Sequence, residues 1–290
     1  MVIQIAKHSG FCYGVKRAIQ MLDGIILENN GAKNVYTLGP IIHNRQVTEY
    51  YEEKGVKVIE NLDDFMDNRI DGDNLIVRSH GAAKSIYDEA AKIGFKLFDA
   101  TCPYVKKIQK TVSSYHLKGY NIIIVGDRTH PEVIGINGWC DESAQIFDSL
   151  EQVEGLLPSS NPYCIVAQTT FKLSLWEEMV AAFEAKLSNC VIHNTICLAT
   201  EERQNACIEL SKNVDIMVVI GGKHSSNTRK LAEICRKNAT TIHIETKDDL
   251  VDLSGFKCDA RVGIAAGAST PDWIVESVIL KIENEGEVLV

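Results

Sequence analysis

The sequence predicts an α/β protein made of three similar units, each with a small and mostly parallel sheet. Three observations lead to this prediction. Short β-branched runs alternate with amphipathic helical segments along the 290 residues, which is typical of parallel α/β units. Turn and capping signals separate these segments. A turn that carries a cysteine also recurs at nearly constant spacing, and such spacing indicates an internal repeat.

The strand signals are clearest where an apolar run ends at a glycine. Residues 121–125 (NIIIV) precede Gly126, and residues 214–220 (VDIMVVI) precede Gly221. Runs of this kind are typical of strands buried on both faces of a parallel sheet.

The helix signals are prolines and a capping box. Pro103, Pro131 and Pro271 stand where the first helical turn is expected, and residues 174–177 (SLWE) form a capping-box pattern that predicts a helix start. Strands are therefore expected to lead into helices through short polar turns.

Composition excludes several classes of protein. Hydrophobic residues make up 45% and charged residues 24% of the chain, as in ordinary globular proteins. We expect no membrane span, because no apolar run approaches about 18 residues, and we find no export signal at the N-terminus. The net charge of −9 disfavours nucleic acid as a partner.

Cysteine usage indicates a reducing compartment. The chain has nine cysteines, an odd number, which are spread along its length without any Cys-x-x-Cys pair. A disulfide framework, a zinc ribbon and the usual ferredoxin run are all disfavoured, so we expect a cytoplasmic protein whose metal site, if any, is assembled from distant segments.

The repeat is defined by Cys12, Cys102 and Cys197, which lie 90 and 95 residues apart. It predicts three domains, with Cys12 at the entry of the first, Cys102 in the second and Cys197 in the third. Their predicted ranges are 13–98, 99–193 and 194–290.

Each unit also contains two polar segments, about 30 and about 70 residues after its cysteine. In open α/β sheets functional groups gather beyond the carboxyl ends of the strands. Three units that face a common axis would therefore direct nine turns, and the three cysteines, to one centre.

Three cysteines at helix starts suit a metal centre. A helix N-terminus favours the thiolate, and three thiolates suit either a catalytic zinc ion or an iron–sulfur cluster with one iron left uncoordinated by protein. Spacing alone does not choose between them. The other six cysteines are predicted to be small buried hydrophobic residues: Cys140, Cys164, Cys190, Cys207, Cys235 and Cys258.

A second set of polar side chains is predicted at helix N-termini, where phosphate groups bind. Gly-x-Gly-x-x-Gly is absent and Gly222-Lys223-His224 breaks the Walker pattern, so a nucleotide is not the expected ligand. We expect these donors to hold a diphosphate. They are His43, His80, His130, Ser225, Ser226, Asn227 and Ser269.

Two further residues are candidates for acting on the substrate. Glu132 lies two residues after His130, and in a pocket its desolvation and a nearby anion would raise its pKa above the ordinary value of about 4.3. Glu132 would then be a general acid. Thr169 is a candidate for orienting a substrate hydroxyl, although a threonine at a strand end is often an ordinary helix cap.

Nine motifs, in this order along the chain, resemble those of a known family. They are residues 10–15 (GFCYGV), 43–44 (HN), 79–81 (SHG), 99–103 (DATCP), 130–133 (HPEV), 168–170 (QTT), 196–197 (IC), 225–227 (SSN) and 267–269 (GAS). This pattern is similar to that of the 4-hydroxy-3-methylbut-2-enyl diphosphate reductases, the last enzymes of the non-mevalonate isoprenoid pathway. It extends from the first predicted strand to the last predicted helix.

The resemblance implies a pseudo-threefold trefoil of three α/β domains around a central 4Fe-4S cluster, with residues 1–12 completing the third domain. By match, Cys12, Cys102 and Cys197 hold the cluster and leave one iron open. The seven donors above would bind the diphosphate, with Thr169 and Glu132 at the hydroxyl end. The domain that some relatives carry after the last helix is not expected here.

The implied reaction is reductive dehydroxylation of an allylic diphosphate to isopentenyl and dimethylallyl diphosphate. Glu132, with His130 as a possible relay, would supply a proton, and a ferredoxin or flavodoxin would supply two electrons. The alternatives are a 4Fe-4S hydro-lyase acting on a phosphorylated small molecule without net redox change, a non-catalytic iron–sulfur sensor, and a zinc site in place of the cluster.

Overall fold

The computed structural model describes residues 1–65, 72–251 and 256–286. In these ranges twelve strands alternate with ten α-helices. The strands are β1 (Val2–Ile5), β2 (Val35–Leu38), β3 (Val56–Ile59), β4 (Asn74–Val77), β5 (Lys96–Asp99), β6 (Asn121–Val125), β7 (Gln145–Phe147), β8 (Tyr163–Ala167), β9 (Cys190–Ile192), β10 (Ile216–Ile220), β11 (Thr240–Ile244) and β12 (Arg261–Ala266). The helices are α1 (Tyr13–Asn29), α2 (Arg45–Glu53), α3 (Lys84–Ile93), α4 (Pro103–His116), α5 (Pro131–Asn137), α6 (Leu150–Glu154), α7 (Leu173–Lys186), α8 (Leu198–Ser211), α9 (Ser226–Cys235) and α10 (Asp272–Gly286).

The strands form three parallel sheets of four, which confirms the predicted α/β class with three small parallel sheets. Their strand orders are β3-β2-β4-β5, β7-β6-β8-β9 and β11-β10-β12-β1. All three orders are the same when strands are numbered within a sheet: the first strand lies between the second and the third, and the fourth borders the third. In such a sheet the crevice where ligands bind opens beyond the carboxyl ends of the two central strands.

The fourth strand of the last sheet comes from the start of the chain. β1 pairs in parallel with β12, from Val2 opposite Arg261 to Ile5 opposite Ile264. The exact domain boundaries given above stay predictions, and the end of the third range, residue 290, lies outside the described residues.

The chain divides into two compact units. One comprises residues 1–15, 43–45 and 198–290 and contains the sheet β11-β10-β12-β1. The other comprises residues 16–42 and 46–197 and contains the other two sheets.

The central strands are buried because helices cover both faces of each sheet. All five residues of β8 and all five of β10 are buried. Alternate residues of β10 belong to different cores: Val218 packs with Phe256 and Ile274 on one face, and Val219 packs with Leu231 on the other. The apolar runs seen in the sequence are these two-sided strands. None of the helices in the described ranges is both long and apolar enough to cross a membrane.

The predicted helix starts are mostly confirmed. Pro103 and Pro131 are the first residues of α4 and α5, and α10 begins one residue after Pro271. The capping box at residues 174–177 is wrong, because α7 begins at Leu173 without a side-chain cap. A turn in which the Phe171 N–H donates to the Gln168 carbonyl leads the chain into the helix early, so that Ser174 lies exposed within its first turn.

Candidate active site

The three repeated cysteines occupy the same place in their sheets. Each follows the fourth strand and directly precedes a helix: Cys12 precedes α1, Cys102 is the N-cap of α4, and Cys197 precedes α8. All three are half-buried. Each cysteine therefore lies where the helix dipole is positive.

One backbone hydrogen bond fixes each cysteine, and it recurs three times. The N–H of Cys12 donates to the Ala268 carbonyl at 3.1 Å, that of Cys102 to Ser79 at 2.9 Å, and that of Cys197 to Thr169 at 3.0 Å. Each accepting carbonyl lies in the turn after the third strand of the same sheet. Each cysteine is therefore joined to a polar strand end of the sheet that it follows, whereas the sequence repeat groups it with the polar segments about 30 and 70 residues further along the chain.

Two arginines brace the backbone beside two of these cysteines. In the larger unit, the Arg17 guanidinium donates to the carbonyls of Asp99 and Thr101, at 3.4 and 3.2 Å, just before Cys102. In the other unit, buried Arg203 donates to the Gly10 carbonyl at 2.7 Å and to the Ala199 carbonyl at 3.0 Å. Gly10 has φ +88°, and an added Cβ would lie 2.9 Å from the Asp272 carboxylate. The glycine therefore permits the bend that exposes its carbonyl to Arg203.

Glu132 and Thr169 form a buried pair in the larger unit, with 2% and 7% exposed surface. One carboxylate oxygen of Glu132 accepts from the Thr169 N–H at 2.6 Å, and the other accepts from the Thr169 hydroxyl at 2.7 Å. Since the Thr169 carbonyl also accepts from the Cys197 N–H, this threonine connects the predicted acid to a predicted metal ligand.

His80 and His130 lie against each other in the same unit. Their ring centroids are 5.4 Å apart with the planes at 80°. Nδ1 of His130 accepts from the Glu132 N–H at 3.1 Å and so caps α5. With Nδ1 acting as acceptor, the proton of the neutral imidazole lies on Nε2. His130 is thus a helix cap whose ring proton lies on Nε2.

The predicted donors Ser225, Ser226 and Asn227 lie at the start of α9, in the unit built on the third sheet. All three are buried. The Ser225 hydroxyl accepts from the Thr228 N–H and caps the helix. The Asn227 Nδ2 is buried without a hydrogen-bond partner. Because an unsatisfied buried donor costs roughly 1–3 kcal/mol, a ligand that accepts from it is the natural partner.

Ser269 and the backbone of His43 meet in this unit. The Ser269 hydroxyl donates to the His43 carbonyl at 3.0 Å. An added Cβ on Gly222 would lie 2.9 Å from the same carbonyl, so only glycine allows the chain to pass so closely. His43 is therefore anchored at the carboxyl ends of β10 and β12.

Sequence analysis missed two polar residues that build the site and left a third without a role. Arg17 and Arg203 brace the cysteine loops, as described above. Gln168 is fully buried, and it accepts from the Asp127 N–H at 3.1 Å and donates to the Thr170 hydroxyl at 3.2 Å. Residues 168–170 were recognised as a motif in the sequence, but no role was assigned to Gln168.

The other six cysteines lie mostly in the cores. Four are buried, Cys190 is half-buried and Cys258 is exposed, so the predicted burial of Cys258 is wrong. It belongs to a turn before β12, where nothing covers it in the described part of the chain. Burial raises the pKa of the Cys140 thiol to about 11 and that of Cys164 to about 12, which keeps both as unreactive thiols.

The fold is that of an α/β enzyme, in which functional groups gather beyond the carboxyl ends of the strands. Residues 3–283 match the family model described as LytB protein. The chain belongs to this family.

Relatives over the full length support the assignment. The chain is 49% identical over 285 residues to the 4-hydroxy-3-methylbut-2-enyl diphosphate reductase of Clostridioides difficile (strain 630), covering 98% of this chain and all of the relative. It is 50% identical over 283 residues to the reductase of the same name from Thermoanaerobacter sp. (strain X514), covering 97% and 96%. The chain is therefore an oxidoreductase.

Solved structures agree with the sequence relatives. One, of (E)-4-hydroxy-3-methyl-but-2-enyl diphosphate reductase, described as the terminal enzyme of the non-mevalonate pathway, is 39% identical with a TM-score of 0.70 and covers 98% of this chain and 100% of its own. Another, of the E-1-hydroxy-2-methyl-but-2-enyl-4-diphosphate reductase from Plasmodium falciparum, is 27% identical with a TM-score of 0.87 and covers 96% and 87%.

Proposed function

We propose that this chain reduces (E)-4-hydroxy-3-methylbut-2-enyl diphosphate to isopentenyl and dimethylallyl diphosphate. The observation that carries the proposal is the threefold recurrence of a half-buried cysteine before a helix, held each time by the same backbone hydrogen bond. Full-length relatives are named as reductases of this substrate, and dependence on iron and sulfur follows from the family.

Cys12, Cys102 and Cys197 hold a 4Fe-4S cluster in this proposal. The donor set suits the group, because each thiol is half-buried, precedes a helix and leaves its backbone N–H satisfied. Three protein ligands leave one iron open. When bound, the cluster supplies electrons and a Lewis-acidic iron for the C4 hydroxyl.

The diphosphate is bound by hydrogen-bond donors that carry no fixed charge. The ring proton of His130 lies on Nε2, and the Asn227 Nδ2 is buried without a hydrogen-bond partner of its own. Each bond to a charged oxygen contributes on the order of 1.5–3 kcal/mol, so a set of this size can hold a diphosphate on an acidic protein. The full set is His43, His80, His130, Ser225, Ser226, Asn227 and Ser269.

Glu132 is the proton donor in this scheme. The reaction takes two electrons and two protons: one proton leaves with the hydroxyl as water, and the other is added to either end of the allyl group. A protonated Glu132 supplies the proton for the departing hydroxyl, and Thr169 holds the carboxyl in place through two hydrogen bonds. His130, bonded to the Glu132 N–H, is the candidate relay.

The partner and compartment belong to the same proposal. A ferredoxin or flavodoxin supplies the two electrons. The odd number of scattered cysteines supports a reducing cytoplasm, where thiols persist.

The experiment is an anaerobic assay with reduced methyl viologen. Adding (E)-4-hydroxy-3-methylbut-2-enyl diphosphate should consume about two electrons per substrate molecule, with iron near four per chain. Substrate conversion without dye oxidation would favour the hydro-lyase. Ligand binding without product would favour the sensor, and a colourless preparation rich in zinc would favour the zinc site.

A further inference from the structure

The helix that follows Cys102 begins a strongly basic stretch of the chain. Residues 103–120 contain four lysines and neither aspartate nor glutamate. The remaining 26 basic residues are outnumbered by all 39 acidic ones. The positive charge of this stretch is therefore a local exception on an acidic protein.

The equivalent helices of the repeat lack this charge. α1, after Cys12, carries two basic and two acidic residues, and α8, after Cys197, carries one arginine and three glutamates. The three helices that are related by the repeat therefore differ in charge. Of these three, only α4 has a basic surface. The repeat itself does not explain the lysines.

An open groove of about 540 Å³ runs along α4. Its lining includes Pro103, Lys106, Lys107, Lys110, Tyr115 and His193. Lys107 and Lys110 are exposed, as is Lys118, whose ammonium lies 5.3 Å from the ring centroid of Tyr115. Lys106 instead pairs with Asp99 at 2.6 Å.

The lining of the groove includes residues from the chain segments that carry two of the proposed cluster ligands. Pro103 at one side directly follows Cys102, and His193 at the other lies four residues before Cys197. Burial and the charge of Lys107 lower the pKa of His193, so this imidazole is neutral and the lysines provide the charge. The groove is therefore lined by residues one and four positions away in the sequence from two of the proposed cluster ligands.

Exposed apolar side chains accompany the lysines. Tyr104 is 46% and Leu117 83% exposed. Small interfaces with a few apolar contacts and complementary charge are typical of transient complexes between redox proteins. A wide, open surface of this kind suits a protein partner better than a small ligand, which needs an enclosed pocket.

We propose that this basic face, defined by Lys107, Lys110 and Lys118, docks an acidic electron-carrier protein. The inference rests on the proposed function, which requires an electron source. Each docked carrier is oxidised by one electron, and two such transfers reduce one substrate molecule. Attraction between the basic face and an acidic carrier also overcomes the repulsion expected from the net charge of −9.

The test reverses the charge of this face in the full-length holoprotein. The variant is Lys107→Glu with Lys110→Glu and Lys118→Glu, and it leaves Lys106 with Asp99. The matched control replaces three exposed lysines elsewhere, Lys212, Lys237 and Lys257, with glutamate, so both variants change the net charge equally. Turnover is measured with a reduced bacterial ferredoxin and, separately, with reduced methyl viologen, which needs no docking face.

We expect kcat/KM with ferredoxin to fall by about tenfold or more in the α4 variant, within the usual range of electrostatic steering. The control variant should retain most of it, and dye-driven turnover should stay within about twofold in both. An equal fall in the two variants, or none in the α4 variant, would overturn the docking site while leaving the reductase intact. Absence of dye-driven turnover in the unmodified protein would instead refute the proposed function.

Discussion

Thr169 makes three of the hydrogen bonds that build the candidate site. Its N–H and hydroxyl both donate to Glu132, and its carbonyl accepts from the Cys197 N–H. All three bonds are made by one residue that is 7% exposed. A buried donor left unsatisfied costs roughly 1–3 kcal/mol, so the position of the Glu132 carboxyl is tightly coupled to the turn before α8.

Replacing Glu132 by glutamine tests its role as proton donor. The amide has nearly the same shape and can still accept from the Thr169 N–H, but it cannot deliver a proton. We expect turnover to fall by about 10²- to 10⁴-fold, while iron per chain and the unfolding midpoint stay near those of the parent. The exposed Glu151, replaced by glutamine, is the control. Turnover of Glu132→Gln close to the parent value would remove this carboxyl from the mechanism.

Whether a single site residue could be predicted from the sequence depended on its type. Glu132 was predicted as a general acid and Thr169 as a residue that orients a substrate hydroxyl, and the structure brings the two into contact. Arg203 was not predicted, because a single arginine next to two glutamates in a helix is typical of a solvent-exposed position. Only the fold shows that it is 5% exposed and bonded to Gly10, which is far away in the sequence.

At the scale of elements, two helices stabilise the loops of cysteines other than their own. α1 begins after Cys12, yet its Arg17 braces the loop before Cys102. α8 begins after Cys197, yet its Arg203 braces the loop before Cys12. Each loop conformation therefore depends on a helix from another repeat, which a reading of the units one by one does not reveal.

The bond from Arg203 predicts a measurable effect on iron retention. Arg203→Met removes a charged donor to the Gly10 carbonyl, and such a bond is worth on the order of 1.5–3 kcal/mol. We expect faster loss of iron to a chelator and less iron per chain after gel filtration. Arg203→Lys, which can still donate to this carbonyl, should restore part of the retention, and Arg236→Met at an exposed position should change neither. Normal iron retention in Arg203→Met would show that the Cys12 loop does not depend on this contact.

At the scale of the whole molecule, the same strand order is built three times. The cysteine spacing predicted three units because the distance between equivalent turns is a property of the sequence. The distribution of charge did not follow from the repeat. The lysines of residues 103–120 can be counted in the sequence, but the structure shows that Lys107, Lys110 and Lys118 are all exposed. Periodicity thus predicted the architecture, whereas the surfaces had to be observed.

Two partly buried histidines, one in each compact unit, predict how the stability of the molecule depends on pH. Burial is the main cause that lowers the pKa of both His193 and His243 below the ordinary 6.5, and the Nε2 of His243 lies 2.9 Å from the Gly221 carbonyl. The unfolded chain therefore binds these protons at a higher pH than the folded one. Stability should be unaffected above about pH 7.5 and should fall as the pH drops from about 6.5 through the lowered pKa values.

The measurement is the urea midpoint of the anaerobic, iron-loaded protein at pH 7.5 and pH 5.5. The parent should lose stability between the two, and the double variant His193→Gln with His243→Gln should lose less, because glutamine does not titrate. His224→Gln, at an exposed position, should behave as the parent does. A double variant as sensitive to acid as the parent would assign the loss to other groups, since these two imidazoles would then be protonated equally in the folded and unfolded chains.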